Sequence, residues 1–271
     1  MTQPRIVYVV GCGHSGSTLL DMLVSTHSRI FSAGEAKMFR RSPETVCTCG
    51  AERWYSCPFW KRVDERMRAD GEPGLGHESI EHGDPEVFSA YNRRFFRAIS
   101  AESGCAVVLD SSKDFSRLKS FLNSDLHVEV IHLIRDPRGV VFSGLRKGRP
   151  IRGVSKKYVR THVSAARALL DVPHIEVRYE DLAREPEREV ARILEHLGLE
   201  FEPDQLAGWR RIERHNFGGN RMRLDDTETI RLDEAWRTEF SAWQRLSIWM
   251  RTLPARARSR LGLAFMHRLF G

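Results

Sequence analysis

Residues 11–18, Gly-Cys-Gly-His-Ser-Gly-Ser-Thr, carry the most specific chemistry in the chain. They follow an apolar run, Ile6-Val7-Tyr8-Val9-Val10, and precede a helix-like stretch, Leu19-Leu20-Asp21-Met22-Leu23-Val24. Gly11, Gly13 and Gly16 permit a tight turn whose N–H groups converge on an anion, and the N-terminus of the next helix adds its dipole. Ser15, Ser17 and Thr18 add hydroxyl donors. The spacing is that of a phosphate-binding P-loop with one change. Position 17, where a lysine would reach the β- and γ-phosphates of a nucleotide, is serine. Asp110 is the one candidate for a magnesium-binding aspartate at the end of an apolar run. The loop therefore suits a phosphate group better than a magnesium nucleoside triphosphate.

Two other polar segments end apolar runs. "DSSKDFSRL" follows Val107-Val108-Leu109, and "RDPRGVVFSG" follows the run at 128–134, the clearest buried strand in the chain. Strands are expected at 6–10, 107–109, 128–134 and 174–177, with a short apolar pair, Ile30-Phe31, ahead of "AGEAKMF". Helices are expected at 17–25, 154–170 and 186–197, and residues 58–103 read as helical around a polar loop. Asp136 suits an N-cap and Pro137 the first helical position. The rest of the chain reads as helical except "HNFGGNRMRLDDTETI". Strands separated by crossover helices imply a mostly parallel sheet with helices on both faces. Such a sheet carries strand-end segments to one rim, where α/β proteins bind ligands. All three polar segments therefore converge, although they lie far apart in sequence.

Composition sets outer limits. The chain has 271 residues, 41 % hydrophobic and 29 % charged, which is ordinary for a globular protein and compatible with a single domain spanning 1–271. No apolar run approaches the roughly 20 residues of a membrane span, and no secretory signal is expected at residues 1–5. A net charge of +7 is compatible with nucleic acid, an anionic membrane or an anionic small ligand. The five cysteines are an odd number, which fits a reducing, cytoplasmic setting better than a disulfide scaffold. Three of them lie in "CTCGAERWYSCPFW". Zinc is conceivable there, but the usual paired C-x₂₋₄-C halves are missing, and reduced thiols beneath the aromatics are the favoured expectation.

The motifs together resemble one family. "GCGHSGSTLL" is similar to the 5′-phosphosulfate loop of sulfotransferases that use 3′-phosphoadenosine 5′-phosphosulfate (PAPS). Many members carry lysine or arginine where this chain has His14. "VIHLIRDPRGVVFSGLR" resembles the family's 3′-phosphate motif, with Ser143 eight residues after Arg135. "DSSKDFSRL" resembles the segment whose lysine, here Lys113, assists at the sulfuryl group. "SAGEAKMF" matches the position of the catalytic glutamate, here Glu35, and "VRYEDL" and "GGNRMR" also recur in bacterial members. The likeness runs from Ile6 to about Trp236.

The resemblance implies a three-layer P-loop NTPase-like α/β fold with a mostly parallel central sheet. It implies transfer of a sulfuryl group from PAPS to a hydroxyl, releasing adenosine 3′,5′-bisphosphate (PAP), with no metal required. Glu35, Lys113 and His14 become the catalytic candidates. Gly13, His14, Ser15, Gly16, Ser17 and Thr18 would hold the 5′ end, and Arg135 and Ser143 the 3′-phosphate. Tyr179 either approaches the nucleotide or caps the sheet, and Asn220 and Arg221 either close on the 3′-phosphate or form a plain turn. The acceptor could be a sugar, lipid, tyrosine or small natural product, with residues 41–104 an acceptor-side helical insertion and no nucleic acid as partner. The tail from 251 to 271 holds five arginines and no acid. It reads as a helix packed on the body, with contact to an anionic membrane as the alternative. The competing functions are a P-loop nucleotide kinase, which Ser17 disfavours, and a non-catalytic PAP- or nucleic-acid-binding protein.

Overall fold

The computed structural model describes residues 3–257, except 70, 208, 210, 211 and 225–228, and omits the side chain of Arg221. Five strands form one sheet: β1 (Arg5–Gly11), β2 (Ile30–Gly34), β3 (Val107–Lys113), β4 (Val128–Ile134) and β5 (His174–Arg178). Their order is β2-β3-β1-β4-β5 and every pairing is parallel. The chain leaves β1 toward one edge, returns through β3, and crosses to β4 and β5 on the other side. A crevice therefore opens beyond the carboxyl end of β1, where the order reverses. That is where residues 12–16 lie.

The apolar runs form strands because both faces of the sheet are covered, so neighbouring residues are all buried. On β1, Val7 and Val9 pack with Leu19, Leu20 and Leu23 of the helix Ser17–Val24. Ile6, Tyr8 and Val10 face the other way, into a cluster with Phe39, Trp60, Phe88 and Phe95. Residues 41–104 thus supply core to the sheet, through the helices Pro58–Arg68 and Pro85–Ser103. The loop-to-helix turns are set by local chemistry. Asp114 Oδ1 accepts from the Ser116 amide at 2.9 Å and opens the helix Phe115–Leu122. Asp136 Oδ1 accepts from the Arg138 amide at 2.8 Å and opens Pro137–Leu145, with Pro137 in the first turn.

Three segments differ from expectation. Ile30-Phe31 belongs to a full edge strand, β2. The strand expected at 107–109 runs on through Ser111-Ser112-Lys113, where the buried Asp110 accepts from the Ser112 amide at 2.9 Å and from its hydroxyl at 2.5 Å. The described residues of 215–230 are irregular, as expected, but the helical remainder expected on either side fails at the described residues of 198–214 and at 231–235. Among the described residues of 198–235, only the 3₁₀ turn Arg221–Leu224 is helical. This stretch spends its backbone groups elsewhere: Phe217 bridges to Gly34 and its carbonyl accepts from the Glu35 amide at 2.7 Å. Helices resume at Trp236–Glu239, Ala242–Arg251 and Leu253–Arg256, and most of the expected basic tail, 258–271, lies outside the described residues. No helix among the described residues is long and apolar enough to cross a membrane.

Candidate active site

The loop after β1 is shaped by contacts that forbid side chains. A Cβ on Gly11 would lie 2.6 Å from the Leu133 carbonyl oxygen of β4. Gly16 has φ +91°, and a Cβ there would run into the Tyr179 ring. His14 accepts a left-handed backbone, φ +68°, without being glycine. Such strain is kept where surrounding structure holds it in place. Ser15 Oγ and His14 Nε2 are buried with no hydrogen-bond partner. The Ser15 hydroxyl is a donor to spare near a helix N-terminus, and the His14 ring nitrogen is a second one in its Nε2–H tautomer, which is what an anion needs.

In front of the loop lies a cavity of about 660 Å³. Gly13, His14, Gly16, Ser17 and Thr18 form one wall, and Ser15 lies buried behind it. Glu35 and Lys113 line the cavity, and Lys113 Nζ donates to Glu35 Oε1. Arg135, Ser143 and Tyr179 line it as well, and so does Asn220, whose amide donates to Thr18 Oγ1 at 3.0 Å. Of the candidates, only the side chain of Arg221 lies outside the described residues. The two glycines before Asn220 have a steric reason: both have positive φ, and a Cβ on Gly218 would lie 2.9 Å from Glu35 Cβ.

The Arg135 guanidinium is engaged by three residues. Its guanidinium donates to the His14 carbonyl at 3.0 Å and to the Asp233 carboxylate at 2.9 Å, and lies 4.2 Å from the Tyr179 ring centroid. Tyr179 in turn accepts from the Asp233 amide at 3.1 Å. The ion pair is thus with Asp233, while the adjacent Asp136 is held by Arg138 at 2.5 Å. Asp110 is taken up by Arg117 Nε at 2.8 Å and by Ser112, in a fully buried cluster. Its carboxylate is a structural acceptor.

The electrostatics turn on burial against neighbouring cations. Burial pushes Glu35 up, but Lys113 and Lys37 outweigh it and hold the carboxyl below its ordinary value. Burial in turn pulls Lys37 down, against support from Glu35. His14 is lowered to about 4, first by burial and then by Lys147, Arg149, Arg135 and Lys113. It is therefore a neutral imidazole near pH 7. The positive charge that His14 lacks is supplied instead by Arg146, Lys147 and Arg149, which line the same cavity. Sequence reasoning passed over these three, although "LRKGRP" is a visible basic run. It also passed over Lys37, 3.6 Å from Glu35 and donating to the Ser112 carbonyl at 2.6 Å. Asp233 had no sequence signal at all.

Comparison with known proteins identifies the family and the fold. The human carbohydrate sulfotransferase 6 is 28 % identical over 145 residues, which is 41 % of this chain and 36 % of that protein, so the chain spans about a third of that relative's length. The sulfotransferase domain of the Synechococcus PCC 7002 olefin synthase superposes with a TM-score of 0.55 at 19 % identity, covering 92 % of this chain and 94 % of that one. Mouse sulfotransferase SULT7A1, solved in complex with PAP, gives 0.51 at 9 % identity over 97 % and 88 %. These two likenesses establish the fold. Residues 4–203, from the first strand past the last, match the model of the sulfotransferase family, and the chain belongs to that family.

Proposed function

We propose that the chain transfers the sulfuryl group of PAPS to a hydroxyl acceptor by in-line displacement and releases PAP. The observation that carries this is the Glu35–Lys113 pair facing a phosphate loop that has serine at position 17. A γ-phosphate has no lysine to meet it, whereas an acid–base pair stands where a transferring group would react. The unpartnered Ser15 hydroxyl, the unpartnered His14 ring nitrogen and the cations at 146, 147 and 149 suit an anionic donor substrate.

In this mechanism the amides of residues 14–18 and the Ser15, Ser17 and Thr18 hydroxyls hold the 5′-phosphosulfate. Arg135, with Ser143, holds the 3′-phosphate. Its guanidinium gives up Asp233 to do so, exchanging one carboxylate for a more highly charged group. The acceptor oxygen attacks sulfur and its proton passes to Glu35. The bond between sulfur and the oxygen of the 5′-phosphate breaks, and Lys113 and His14 stabilise the charge that collects on that oxygen. As Lys113 turns to the leaving oxygen, Glu35 loses its closest cation and becomes a stronger base as the proton arrives.

Residues 41–104 pack close behind Glu35, where Trp54, Trp60 and Phe95 contact Phe39 four positions further along the chain, and we assign acceptor choice to this segment. A carbohydrate hydroxyl is the first acceptor to test, by likeness to the human relative. A reducing, cytoplasmic setting suits five free thiols. The deciding experiment incubates the full chain with PAPS and a panel of sugar, phenol and alcohol acceptors. PAP release and a mass gain of one sulfuryl group on an acceptor are expected. Phosphoryl transfer from magnesium ATP, with no PAP formed from PAPS, would overturn the assignment in favour of a nucleotide kinase.

A further inference from the structure

Away from the reacting groups, three thiols and an imidazole converge. Cys47, Cys49, Cys57 and His215 place one ligand atom each within 4.8 Å of one another. We propose that these four residues form a closed tetrahedral zinc site that fastens the 213–220 loop against the phosphate loop and Glu35.

Three of the six ligand–ligand distances are close to tetrahedron edges. Zinc–sulfur bonds of about 2.3 Å and a zinc–nitrogen bond of about 2.05 Å put sulfurs about 3.8 Å apart and sulfur and nitrogen about 3.6 Å apart. Cys47 and Cys57 sulfurs lie 3.8 Å apart, Cys49 and Cys57 sulfurs 3.5 Å, and Cys57 Sγ lies 3.4 Å from His215 Nδ1. A disulfide would need about 2.05 Å.

Local structure holds each ligand in place. The Cys47 amide donates to the Ala51 carbonyl at 2.8 Å, and the Gly50 amide returns to Cys47 at 3.0 Å. With Gly50 at φ +89°, this tight turn accommodates two ligands only one residue apart. Cys57 caps the helix Pro58–Arg68, where the helix dipole favours a thiolate. The His215 ring stacks on Phe59 at 4.9 Å and 6°, and its carbonyl accepts from Trp60 Nε1 at 2.6 Å. Its second nitrogen, Nε2, lies 3.5 Å from the Glu213 carboxylate, the partner that a metal-bound histidine commonly has. A zinc centre with three thiolates carries one net negative charge, and the buried Arg223, held by the Val46 carbonyl, lies within electrostatic reach of Cys47.

With four protein ligands the site has no open position, so its role is structural. Thr48, between two of the ligands, accepts from the Asn216 amide at 2.9 Å and donates to the Arg214 carbonyl at 2.6 Å. The same loop continues to Phe217, bonded to the Glu35 amide, and to Asn220, bonded to Thr18. Zinc would therefore hold this loop across both halves of the candidate site. Binding releases the protons of the three thiols, so affinity falls in acid.

Metal content is measured first, which separates this inference from the reaction proposed above. The full chain, purified without chelators under reducing conditions, is expected to hold about one zinc, as a single four-ligand site requires. The reduced, metal-stripped chain titrated with cobalt is expected to show thiolate charge-transfer bands and the intense d–d bands of tetrahedral cobalt. Cys49→Ser, at an exposed thiol, and His215→Ala should each weaken retention of the metal against a chelator by about 10-fold or more, while Cys105→Ser should not. Absence of the cobalt spectrum in the folded, reduced wild-type chain would overturn the proposal. So would metal retention unchanged in both ligand variants, or a disulfide among the three cysteines in freshly alkylated protein.

Discussion

Replacing Glu35 with glutamine keeps the shape and one acceptor oxygen of the side chain but removes its charge and basicity. In the structure that carboxylate is mostly buried, paired with Lys113, and 3.6 Å from Lys37. Burial alone would raise its pKa, but the two ammonium groups overrule burial and leave it below the ordinary 4.5. The sign of the pH effect follows. A depressed carboxyl is ionised at every pH above its ordinary value, so in the free enzyme the base stands ready through neutral pH and the acidic limb of kcat/KM falls below about 4.5, while the limb of kcat lies higher once Lys113 has turned to the leaving oxygen. General-base catalysis contributes about 10²–10⁴-fold, equivalent to about 2.7–5.4 kcal/mol of barrier. We expect Glu35→Gln to lose at least about a hundredfold in kcat and to lose the acidic limb. PAP affinity should be unchanged or slightly tighter, because a negative charge has left a cavity that binds anions. The assay is PAP release at saturating PAPS across the pH range, with calorimetry for binding. Wild-type turnover with the same acidic limb would refute the assignment, and His14 would be the next base to test.

Lys113→Ala should lower kcat far more than it weakens PAPS binding. It should also move the acidic limb of kcat/KM upward, since burial of Glu35 then meets only Lys37; a limb left in place would mean the two side chains part company in solution. Arg135→Ala should weaken PAP binding by about 2–3 kcal/mol, roughly 30–150-fold, read by calorimetry. Asp233→Asn should act the other way and tighten PAP, because it frees the guanidinium and removes a negative charge; weaker binding would show that Asp233 assists the nucleotide instead of competing with it. Gly16→Ala combines a positive φ with a collision against Tyr179 and should cost about 1–3 kcal/mol or more in thermal unfolding. Gly13→Ala, whose Cβ would meet nothing within 4 Å, should leave stability nearly unchanged.

Under the proposed role of Arg135, its surroundings would lower the cost of binding the 3′-phosphate. A guanidinium already satisfied by Asp233, the His14 carbonyl and the Tyr179 face is held in position before the nucleotide arrives. A phosphate bound there would meet a fixed fork and not a mobile side chain, which would lower the entropic cost of binding. The cost is displacement of Asp233, whose partial exposure keeps that exchange modest.

Local patterns were sufficient to read the scaffold. The apolar runs of β1, β3 and β4 announce strands buried on both faces, Asp136-Pro137 announces a helix start, and glycine spacing announces an anion loop. Each of these is encoded within a few neighbouring residues. Ser17 is equally local, and by itself it separates this loop from that of a magnesium nucleotide kinase. Tertiary structure decided what surrounds those residues. Lys113 meets Glu35 across 78 positions, Arg135 meets Asp233 across 98, and His215 meets Cys57 across 158. No periodicity encodes such meetings, because they depend on which strand ends the sheet brings together. The same holds for charge. His14 is neutral because the fold buries it among Lys147, Arg149 and Arg135, and the loop at 217–220, legible as irregular, has its place fixed only by backbone bonds to β2 and the phosphate loop. Residue type and spacing specify what a local segment can do, while burial and long-range pairing determine its charge and its partners.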